Sequence, residues 1–471
     1  MKIIRIAQLF NNFSDSRTIF LQSAFLKNYI SLFQTKAGYP VRVRFFMENN
    51  FLLKILCWLN VFFFLQFSGV QSAFAQEKKG DWWYMDYNFI NYDDNQLLYF
   101  QPDALSNFFT KLNRLESKKD CQVSVFQIGD SHIQADMFSG RVREKFMEDD
   151  RFPMSARGFV FPYSAARTNN PYNYKTFFSS GWTGKRSVRS KDISRWGISG
   201  ITIETYTPGS TFSLHPNIDN FTYNIRKVKV FYPNTDPSSF DIVPKISAGN
   251  SVSGYFVGDG YVEFTFRKPQ TSVEFVISKN RDSQSKFVLQ GVTLENTDPG
   301  IIYSASGVNS ADVSSYFRCQ DFEKQAAILS PDLVVISLGT NDAYMYAFNQ
   351  QQFKTNMRIL VNKIRQVSPH TNFILTTPAD NYRRRRYPNK NNEKARQAIF
   401  EVAREMGLAV WDLYNVMGGF ESINKWYDNS LAQRDKLHFT GKGYSLQGEL
   451  LYQAINNSYL QYQQYLSQGG K

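Results

Sequence analysis

Near-continuous apolar segments alternate with amphipathic segments in two parts of the chain. The apolar segments have the character of strands that are covered on both faces, and they lie at 121–129, 331–339, 372–378 and 407–414. The amphipathic segments have a helical period, and they lie at 102–117, 318–329, 351–367 and 391–406. This alternation of strand and helix predicts an α/β domain with a parallel sheet between two layers of helices.

Residues 180–298 interrupt this alternation. Short segments with a period of two residues follow one another there, separated by Asn, Asp, Pro, Gly and Ser, and no segment of helical period intervenes; examples are 200–206, 226–232, 260–266, 271–277 and 286–295. Such a pattern predicts an all-β sandwich of about seven or eight strands. We therefore expect the sandwich to be inserted into the α/β domain.

The N-terminal part has the pattern of a processing segment. From Met47 a polar start with Lys54 leads into an apolar stretch, which ends in Ala73-Phe74-Ala75. Small residues at these positions fit a signal peptide cut after Ala75, which predicts an exported bacterial protein, periplasmic or at the cell surface. The predicted organisation is an extension with a signal peptide at 1–75, the first part of the α/β domain at 76–180, the β insert at 181–298, and the second part of the α/β domain at 299–471.

Charge narrows the classes of partner. The net charge is +13, but residues 1–75 hold eight of the 54 Lys and Arg residues and two of the 41 Asp and Glu residues, so the rest carries +7. A modest basic excess suits acidic polymers and is no nucleic-acid signature by itself. We expect no nucleic-acid partner, and contact with a membrane only during export.

Four polar stretches mark a candidate site at the carboxyl edge of the predicted sheet, where open α/β sheets gather their functional groups. They are Gly129-Asp130-Ser131-His132, the stretch SASGVNSAD at 304–312, Gly339-Thr340-Asn341-Asp342, and Asp435-Lys436-Leu437-His438.

The chemistry of these stretches is complementary. A serine needs a base to become a nucleophile, and a histidine base needs an acceptor that fixes its tautomer. Ser131 is the candidate nucleophile, with His438 as base and Asp435 as its orienting acceptor. The backbone N–H groups of Ser131 and Gly307 and the side-chain amide of Asn341 are candidate donors to an oxyanion.

This set of motifs resembles the four sequence blocks of the SGNH, or GDSL, hydrolase superfamily. GDSHIQADMFSGRVREKF, ARGFVFPYS and LENTDPGIIYSASGVNSA are most similar to the peptidoglycan O-acetylesterase branch, which also places a carbohydrate-binding-like β module between its first and second blocks. Ser310 stands where a glycine is common in that branch. The resemblance covers about 102–180 and 299–460, and it implies a three-layer, flavodoxin-like parallel sheet.

Other residues compete for roles at this site. His132 adjoins the nucleophile, but its side chain should diverge from that of Ser131, so bracing a loop or touching substrate suits it better than acting as base. Asp130 and Asp342 suggest an acid pair or a metal site. Structural hydrogen bonds are the preferred interpretation for both, because no clustered His or Cys spacing indicates a metal.

Two further groups are candidates for contact with a polymer. Arg383, Arg384, Arg385 and Arg386 follow a strand on the catalytic side of the sheet, where they either hold carboxylates or phosphates or form a solvated loop. Aromatic residues of the insert either form a sugar-stacking platform or belong to its core; they are Trp182, Trp196, Tyr232, Tyr255 and Tyr261.

The sequence therefore predicts a serine esterase that removes O-acetyl groups from a polysaccharide without a cofactor or metal. Peptidoglycan is the substrate that the resemblance implies, and acetylated xylan or another glycan is the nearest alternative. An acetyltransferase with the same residues remains open, because serine chemistry is shared until the acceptor arrives. An inactive glycan-binding surface protein is the alternative from another class.

Overall fold

A computed structural model describes residues 87–218 and 221–469. The predicted signal peptide and its cleavage near Ala75 lie outside these residues. Within the described ranges, no helix combines the length and the apolar character that crossing a membrane requires.

A seven-stranded sheet forms the centre of the α/β part. Numbered in chain order among all strands, its members are β1 (Leu97–Tyr99), β2 (Gln122–Gly129), β3 (Met154–Ala156), β18 (Gly300–Gly307), β19 (Leu333–Ser337), β20 (Asn372–Thr376) and β23 (Ala409–Trp411). The spatial order is β1-β23-β20-β19-β2-β18-β3. Every neighbouring pair is parallel except β1 and β23.

Helices cover both faces of this sheet. They are α1 (Ser106–Lys118), α2 (Ser131–Gln134), α3 (Met137–Glu148), α4 (Phe322–Leu329), α5 (Thr340–Tyr344), α6 (Gln350–Arg365), α7 (Asn391–Met406), α8 (Leu413–Val416), α9 (Ser422–Asp428) and α10 (Gly441–Ser467), with short 3-10 helices at Tyr92–Asp94, Tyr163–Ala166 and Val313–Arg318. The four amphipathic segments of the sequence correspond to α1, α4, α6 and α7.

The strands show why continuous apolar segments were needed. In β19, Leu333 and Val335 pack into one hydrophobic core with α1, α3 and α10, while Val334 and Ile336 pack into the other with α6 and α7. Each face of the strand is therefore buried, as expected for a parallel sheet between two helical layers. The predicted three-layer α/β fold is confirmed.

The insert consists of antiparallel β structure. Its strands are β4 (Gly158–Val160), β5 (Lys175–Phe178), β6 (Thr183–Arg186), β7 (Ile201–Thr205), β8 (Thr211–His215), β9 (Asn217–Ile218), β10 (Phe221–Thr222), β11 (Ile225–Phe231), β12 (Asp241–Lys245), β13 (Val252–Gly258), β14 (Tyr261–Gln270), β15 (Val273–Ser278), β16 (Phe287–Leu289) and β17 (Gly291–Glu295). A five-stranded sheet, β13-β14-β11-β17-β4, shares a core with the four-stranded sheet β12-β15-β8-β5. Phe264 of the first sheet meets Phe275 of the second, with ring centroids 6.0 Å apart.

The β structure begins earlier in the chain than the predicted boundary at residue 181. Strand β4 pairs with β17, and β5 pairs with β8, although both lie before that boundary. Strands β4 and β5 have only three and four residues, which is too few for an alternation of apolar and polar residues to be recognised in the sequence. The segment between them, 161–174, leads from the insert to the site described below.

The remaining two strands form a short hairpin outside the central sheet and the insert. It pairs β21 (Tyr382–Arg383) with β22 (Tyr387–Pro388). The hairpin follows β20, on the carboxyl side of the central sheet.

Candidate active site

The first polar stretch forms a sharp turn from β2 into α2. Gly129 ends β2 between β18 and β19, paired with Gly307 and Ser337. A Cβ at Gly129 would lie 2.3 Å from Ile133 Cγ1 and 2.8 Å from the Ser337 carbonyl oxygen, so the turn requires glycine here. Asp130 caps α2, because its Oδ1 accepts the His132 backbone N–H at 2.9 Å. Ser131 is thereby held as the first residue of the helix.

Ser131, His438 and Asp435 form a continuous hydrogen-bonded chain. Ser131 Oγ lies 3.1 Å from His438 Nε2, and His438 Nδ1 lies 2.7 Å from Asp435 Oδ2. Because a carboxylate only accepts hydrogen bonds, Nδ1 carries the proton, and the lone pair of Nε2 faces the serine hydroxyl. Residues 307 positions apart in the sequence are thus brought into contact in the arrangement of a nucleophile and its oriented base.

Asp435 has two tasks in its loop. Its Oδ1 accepts the backbone N–H groups of Leu437 and His438, each at 3.0 Å. Its Oδ2 accepts the Nδ1–H group of the His438 imidazole. Partial burial raises the pKa of Asp435, but the hydrogen bonds from His438 and Leu437 outweigh burial and hold that pKa below its usual value. The carboxyl group is therefore charged at neutral pH, as orientation of His438 requires.

A cavity of about 740 Å³ opens above the Ser131–His438–Asp435 triad. Its wall combines the triad histidine and serine with residues from the second and third polar stretches and from α5 and α10; those used below are Ser131, His132, Asn169, Asn309, Ser310, Asn341, Tyr344, Leu437, His438 and Tyr444. The volume is sufficient for a sugar unit that carries a small acyl group.

Gly307 does not line the cavity, contrary to its predicted place there. It is buried at the end of β18, with its N–H 3.4 Å from the Tyr163 hydroxyl, which in turn donates to the Gly307 carbonyl oxygen at 3.2 Å. A Cβ at this position would lie 2.4 Å from the Asp130 carbonyl oxygen, so the glycine serves the close approach of two backbones. The family resemblance predicted correctly that the stretch 304–312 contributes to the site, but the residues of this stretch that line the cavity come after Gly307.

Ser310 and Asn309 are the residues of the second stretch that line the cavity, and sequence reasoning did not assign Ser310 a role there. Ser310 lies in a turn closed by the Ala311 N–H and the Val308 carbonyl oxygen at 2.9 Å, and its φ is +71°. That φ is the left-handed conformation that favours glycine, which is the residue common at this position in the resembling branch. The presence of Ser310 where glycine is common was therefore the sequence feature from which a left-handed turn could have been predicted.

Asn341 lines the cavity as predicted, but its side-chain amide already has partners. Nδ2 donates to Asp130 Oδ2 at 3.1 Å and to the Ala311 carbonyl oxygen at 2.9 Å. These bonds tie the first, second and third polar stretches together. Burial raises the pKa of Asp130 to about 7, against the opposing effect of the hydrogen bonds it accepts from His132 and Asn341.

His132 lies beside the triad and points to a partner of its own. Its Nδ1 is 2.9 Å from the Tyr444 hydroxyl, and its ring centroid is 5.4 Å from that of His438. Burial, with a smaller contribution from the charge of His438, lowers the pKa of His132 to about 3. His132 is therefore neutral, and its side chain turns away from Ser131 toward α10.

Asp130 and Asp342 both form structural hydrogen bonds, the role that the sequence analysis preferred for them. Among residues 87–218 and 221–469, no three or more His, Cys, Asp or Glu side chains are grouped as a metal ion would require. Asp130 caps α2, and both Asp342 carboxylate oxygens lie 3.3 Å from the Val313 backbone N–H. Both side chains thus stiffen the loops around the cavity.

Three of the five candidate stacking aromatics belong to the core. Trp182, Trp196 and Tyr232 are at most 5% exposed, and Tyr261 is half-buried against Phe256 and Phe231. Tyr255 alone of the five is well exposed, at 60%. The prediction of a stacking platform made of all five residues is therefore wrong. Trp182, Trp196 and Tyr232 lie outside the strands, where the sequence has no period from which their burial could be predicted.

Comparisons with known proteins agree with this geometry. Residues 279–446 match the GDSL-like Lipase/Acylhydrolase family. This segment holds Gly307, Asn341, Asp435 and His438, whereas Ser131 precedes it and joins the site through the fold. No curated protein matches the chain.

One solved structure shares the fold over most of this chain, and two others align over about a third of it. One of a peptidoglycan O-acetylesterase aligns with a TM-score of 0.66 at 20% identity, and the alignment covers 78% of this chain and 99% of that one. A lipase/acylhydrolase from Enterococcus faecalis aligns at 26% identity over 34% of this chain and 77% of its own, with a TM-score of 0.29. An acetylxylan esterase from Geobacillus stearothermophilus aligns at 20% identity over 33% and 73%, with a TM-score of 0.28.

The family match and the long alignment place the α/β part and the β insert in one known architecture. With its GDSL-like lipase/acylhydrolase domain in an SGNH hydrolase fold, this chain is a carboxylic ester hydrolase.

Proposed function

We propose that this protein is an exported esterase that removes O-acetyl groups from a polysaccharide, with peptidoglycan as its substrate. The observation that carries the proposal is the hydrogen-bonded triad of Ser131, His438 and Asp435 at the floor of an open cavity. Ser131 Oγ lies 3.1 Å from His438 Nε2, and His438 Nδ1 lies 2.7 Å from Asp435 Oδ2. The architecture shared with a peptidoglycan O-acetylesterase, over the insert as well as the α/β part, supports this choice of polymer.

The proposed reaction uses a covalent acetyl intermediate. Ser131 Oγ attacks the ester carbonyl carbon as His438 Nε2 takes the hydroxyl proton, and a tetrahedral oxyanion forms. The sugar oxygen leaves with the proton returned by His438. Water, deprotonated by the same nitrogen, then attacks the acetyl-serine and releases acetate and free Ser131. Asp435 stabilises the imidazolium that forms in each half of the reaction.

Backbone donors suit the oxyanion in this proposal. The N–H of Ser131 lies at the start of α2, and the N–H of Ser310 lies in the left-handed turn at the cavity wall; within the described ranges, neither forms a hydrogen bond. Asn341 becomes a third donor when substrate displaces the hydrogen bond from its Nδ2 to Ala311. Such an exchange is compatible with sites whose catalytic hydrogen bonds tighten only with substrate.

Acetate release from the purified protein tests the proposal. O-acetylated peptidoglycan, acetylated xylan and a simple aryl acetate are each incubated with the protein, and acetate is measured against de-acetylated polymer. Ser131→Ala should abolish release from all three substrates, whereas the control Ser180→Ala, at an exposed serine of the insert, should not. Absence of release by the wild type from every substrate would reject the esterase, and transfer of acetyl to an added sugar in preference to water would identify a transferase.

Export rests on the sequence pattern before Ala75 and is a separate part of the proposal. Expression of the full chain in a bacterial host, followed by fractionation and N-terminal sequencing, tests it. We expect the mature chain to begin near Gln76 outside the cytoplasm. An uncleaved cytoplasmic chain would reject this part and leave the esterase proposal intact.

A further inference from the structure

The arginine run forms the tip of a strained hairpin. Arg383 pairs with Tyr387 across the hairpin, and the Arg386 N–H donates to the Arg383 carbonyl oxygen at 3.1 Å, which closes a turn from Arg383 to Arg386. The two residues between them, Arg384 and Arg385, have φ values of +51° and +63°. Two consecutive left-handed residues characterise a type I′ turn, for which Asn-Gly is the least strained pair. Arginine at both positions keeps a conformational cost that a solvated turn has no need to keep, and such costs cluster at functional positions.

The hairpin is attached to two walls of the cavity. The Arg384 N–H donates to the Tyr344 hydroxyl at 2.9 Å, and the Tyr382 N–H donates to the Lys436 carbonyl oxygen at 2.8 Å. Tyr344 lines the cavity, as does Leu437, which follows Lys436 in the loop of the triad. The tip is therefore fixed beside the entrance to the site by backbone bonds that do not depend on the arginine side chains.

The guanidinium groups of the tip remain available to a ligand. The side chains of Arg384, Arg385 and Arg386 are exposed, and none of them forms an ion pair with a residue of the described part of the chain. Together with Tyr387 they line a separate concavity of about 410 Å³. Arg383 stacks on Tyr346 at 5.5 Å, and its buried Nε has no hydrogen-bond partner among the described residues.

We propose that Arg384, Arg385 and Arg386 form a subsite for oxyanion groups, carboxylate or phosphate, on the polymer that carries the ester. This proposal rests on the proposed function and narrows its substrate to acidic O-acetylated glycans over neutral ones. The planar guanidinium fork matches the geometry of both oxyanions. Because none of these three arginines lines the cavity that holds Ser131, the subsite should act on KM more than on kcat.

Matched substrates isolate the effect of charge. The three substrates are O-acetylated peptidoglycan fragments with free carboxylates, the same fragments with amidated carboxyls, and amidated fragments phosphorylated on a primary hydroxyl. We expect the wild type to have a kcat/KM about tenfold higher for the carboxylate fragments than for the amidated ones, since each exposed ion pair contributes a few-fold at most. The advantage should shrink as salt is added.

Two variants and one control assign the advantage to the hairpin. Arg384→Asn with Arg385→Gly gives the turn its preferred residues, so its thermal stability should equal or exceed that of the wild type while the charge preference falls toward one. Replacement of Arg384, Arg385 and Arg386 together by Gln should have the same effect on the preference. The control removes three exposed positive charges from the insert, by Gln at Arg267, Lys268 and Lys279, and should retain the preference.

The possible results separate the subsite from the proposed function. Restoration of the advantage by phosphorylated fragments would identify phosphate as a ligand, and failure to restore it would identify carboxylate. Equal kcat/KM for all fragments would overturn the subsite while leaving the esterase in place. If no ester is hydrolysed at all, titration of Ser131→Ala with de-acetylated acidic fragments still decides the matter, because unchanged Kd after the Asn-Gly replacement would overturn the subsite.

Discussion

Replacement of Asp435 by Asn should keep the fold of the catalytic loop and disable the base. The Asn side chain can place its oxygen where Oδ1 accepts the Leu437 and His438 backbone N–H groups, because these two bonds need only an acceptor. Its NH₂ group then faces His438 Nδ1 in place of Oδ2. Imidazole responds by moving its proton to Nε2, which points that proton at Ser131 Oγ and leaves no lone pair for the serine proton.

The magnitude follows from the two interactions that are lost. A hydrogen bond to a charged group contributes about 1.5–3 kcal/mol. The attraction between the carboxylate and the imidazolium in the transition state contributes up to about 4 kcal/mol at the effective dielectric of a partly exposed site. Together the two interactions amount to at most about 5.5–7 kcal/mol, or 10⁴- to 10⁵-fold at 1.36 kcal/mol per factor of ten. We expect kcat to fall by about 10⁴, the loss that replacing the orienting aspartate by asparagine produces in a serine protease.

Steady-state hydrolysis of an aryl acetate between pH 6 and 9, with Ser131→Ala as background, measures this loss. Asp435→Ala is the matched comparison, since it removes the two backbone bonds as well, at about 1 kcal/mol each, and should lower the melting temperature where Asn does not. Retention of more than a tenth of the wild-type kcat by Asp435→Asn would refute the reasoning. Equal melting temperatures for the Ala and Asn variants would refute the loop-capping role.

Three other predictions follow from the geometry. His438→Ala should abolish acetate release, whereas His132→Ala should lower it less than a hundredfold; the reverse order in the same assay would make His132 the base. Ser310→Gly should raise the unfolding free energy in denaturant titrations by about 0.5 kcal/mol by relieving the left-handed strain, and it should keep activity because the backbone N–H remains. Asp380 is fully buried, with Oδ1 unpaired among the described residues, and burial raises its pKa to about 7. Because this folded-state pKa lies above the unfolded value near 4, stability should fall as pH rises from about 4 to 7, and Asp380→Asn should gain up to about 4 kcal/mol relative to the wild type as pH rises from about 3 to 8; parallel pH profiles would contradict the assignment.

The sequence was informative where a single backbone direction decides the outcome. The apolar run 122–129 must be a central strand, and the residues after it must lie at the carboxyl edge, so Ser131 and the loop of His438 meet there. It was uninformative where the orientation of one peptide or one strand face decides. Gly307 and Ser310 are three residues apart, and only the turn between them determines which one faces the cavity. Trp182 and Tyr255 are both aromatic, and only tertiary packing determines that Trp182 is buried against Phe212 and Phe287 while Tyr255 is exposed.

The position of the insert in the chain is tied to the construction of the site. The segment between β4 and β5, which belong to the sheets of the insert, supplies Tyr163 to Gly307 and Asn169 to the cavity wall. Asn309 Nδ2 donates to Asn169 Oδ1 at 2.7 Å, and Gln134 Nε2, from the helix of the nucleophile, donates to the same oxygen at 2.7 Å. The turn of the second polar stretch is thus held from one side by α2 and from the other by a segment that the insert anchors at both ends. A β module placed elsewhere in the chain would leave that wall without its second support, so the insert shapes the cavity whether or not it binds sugar itself.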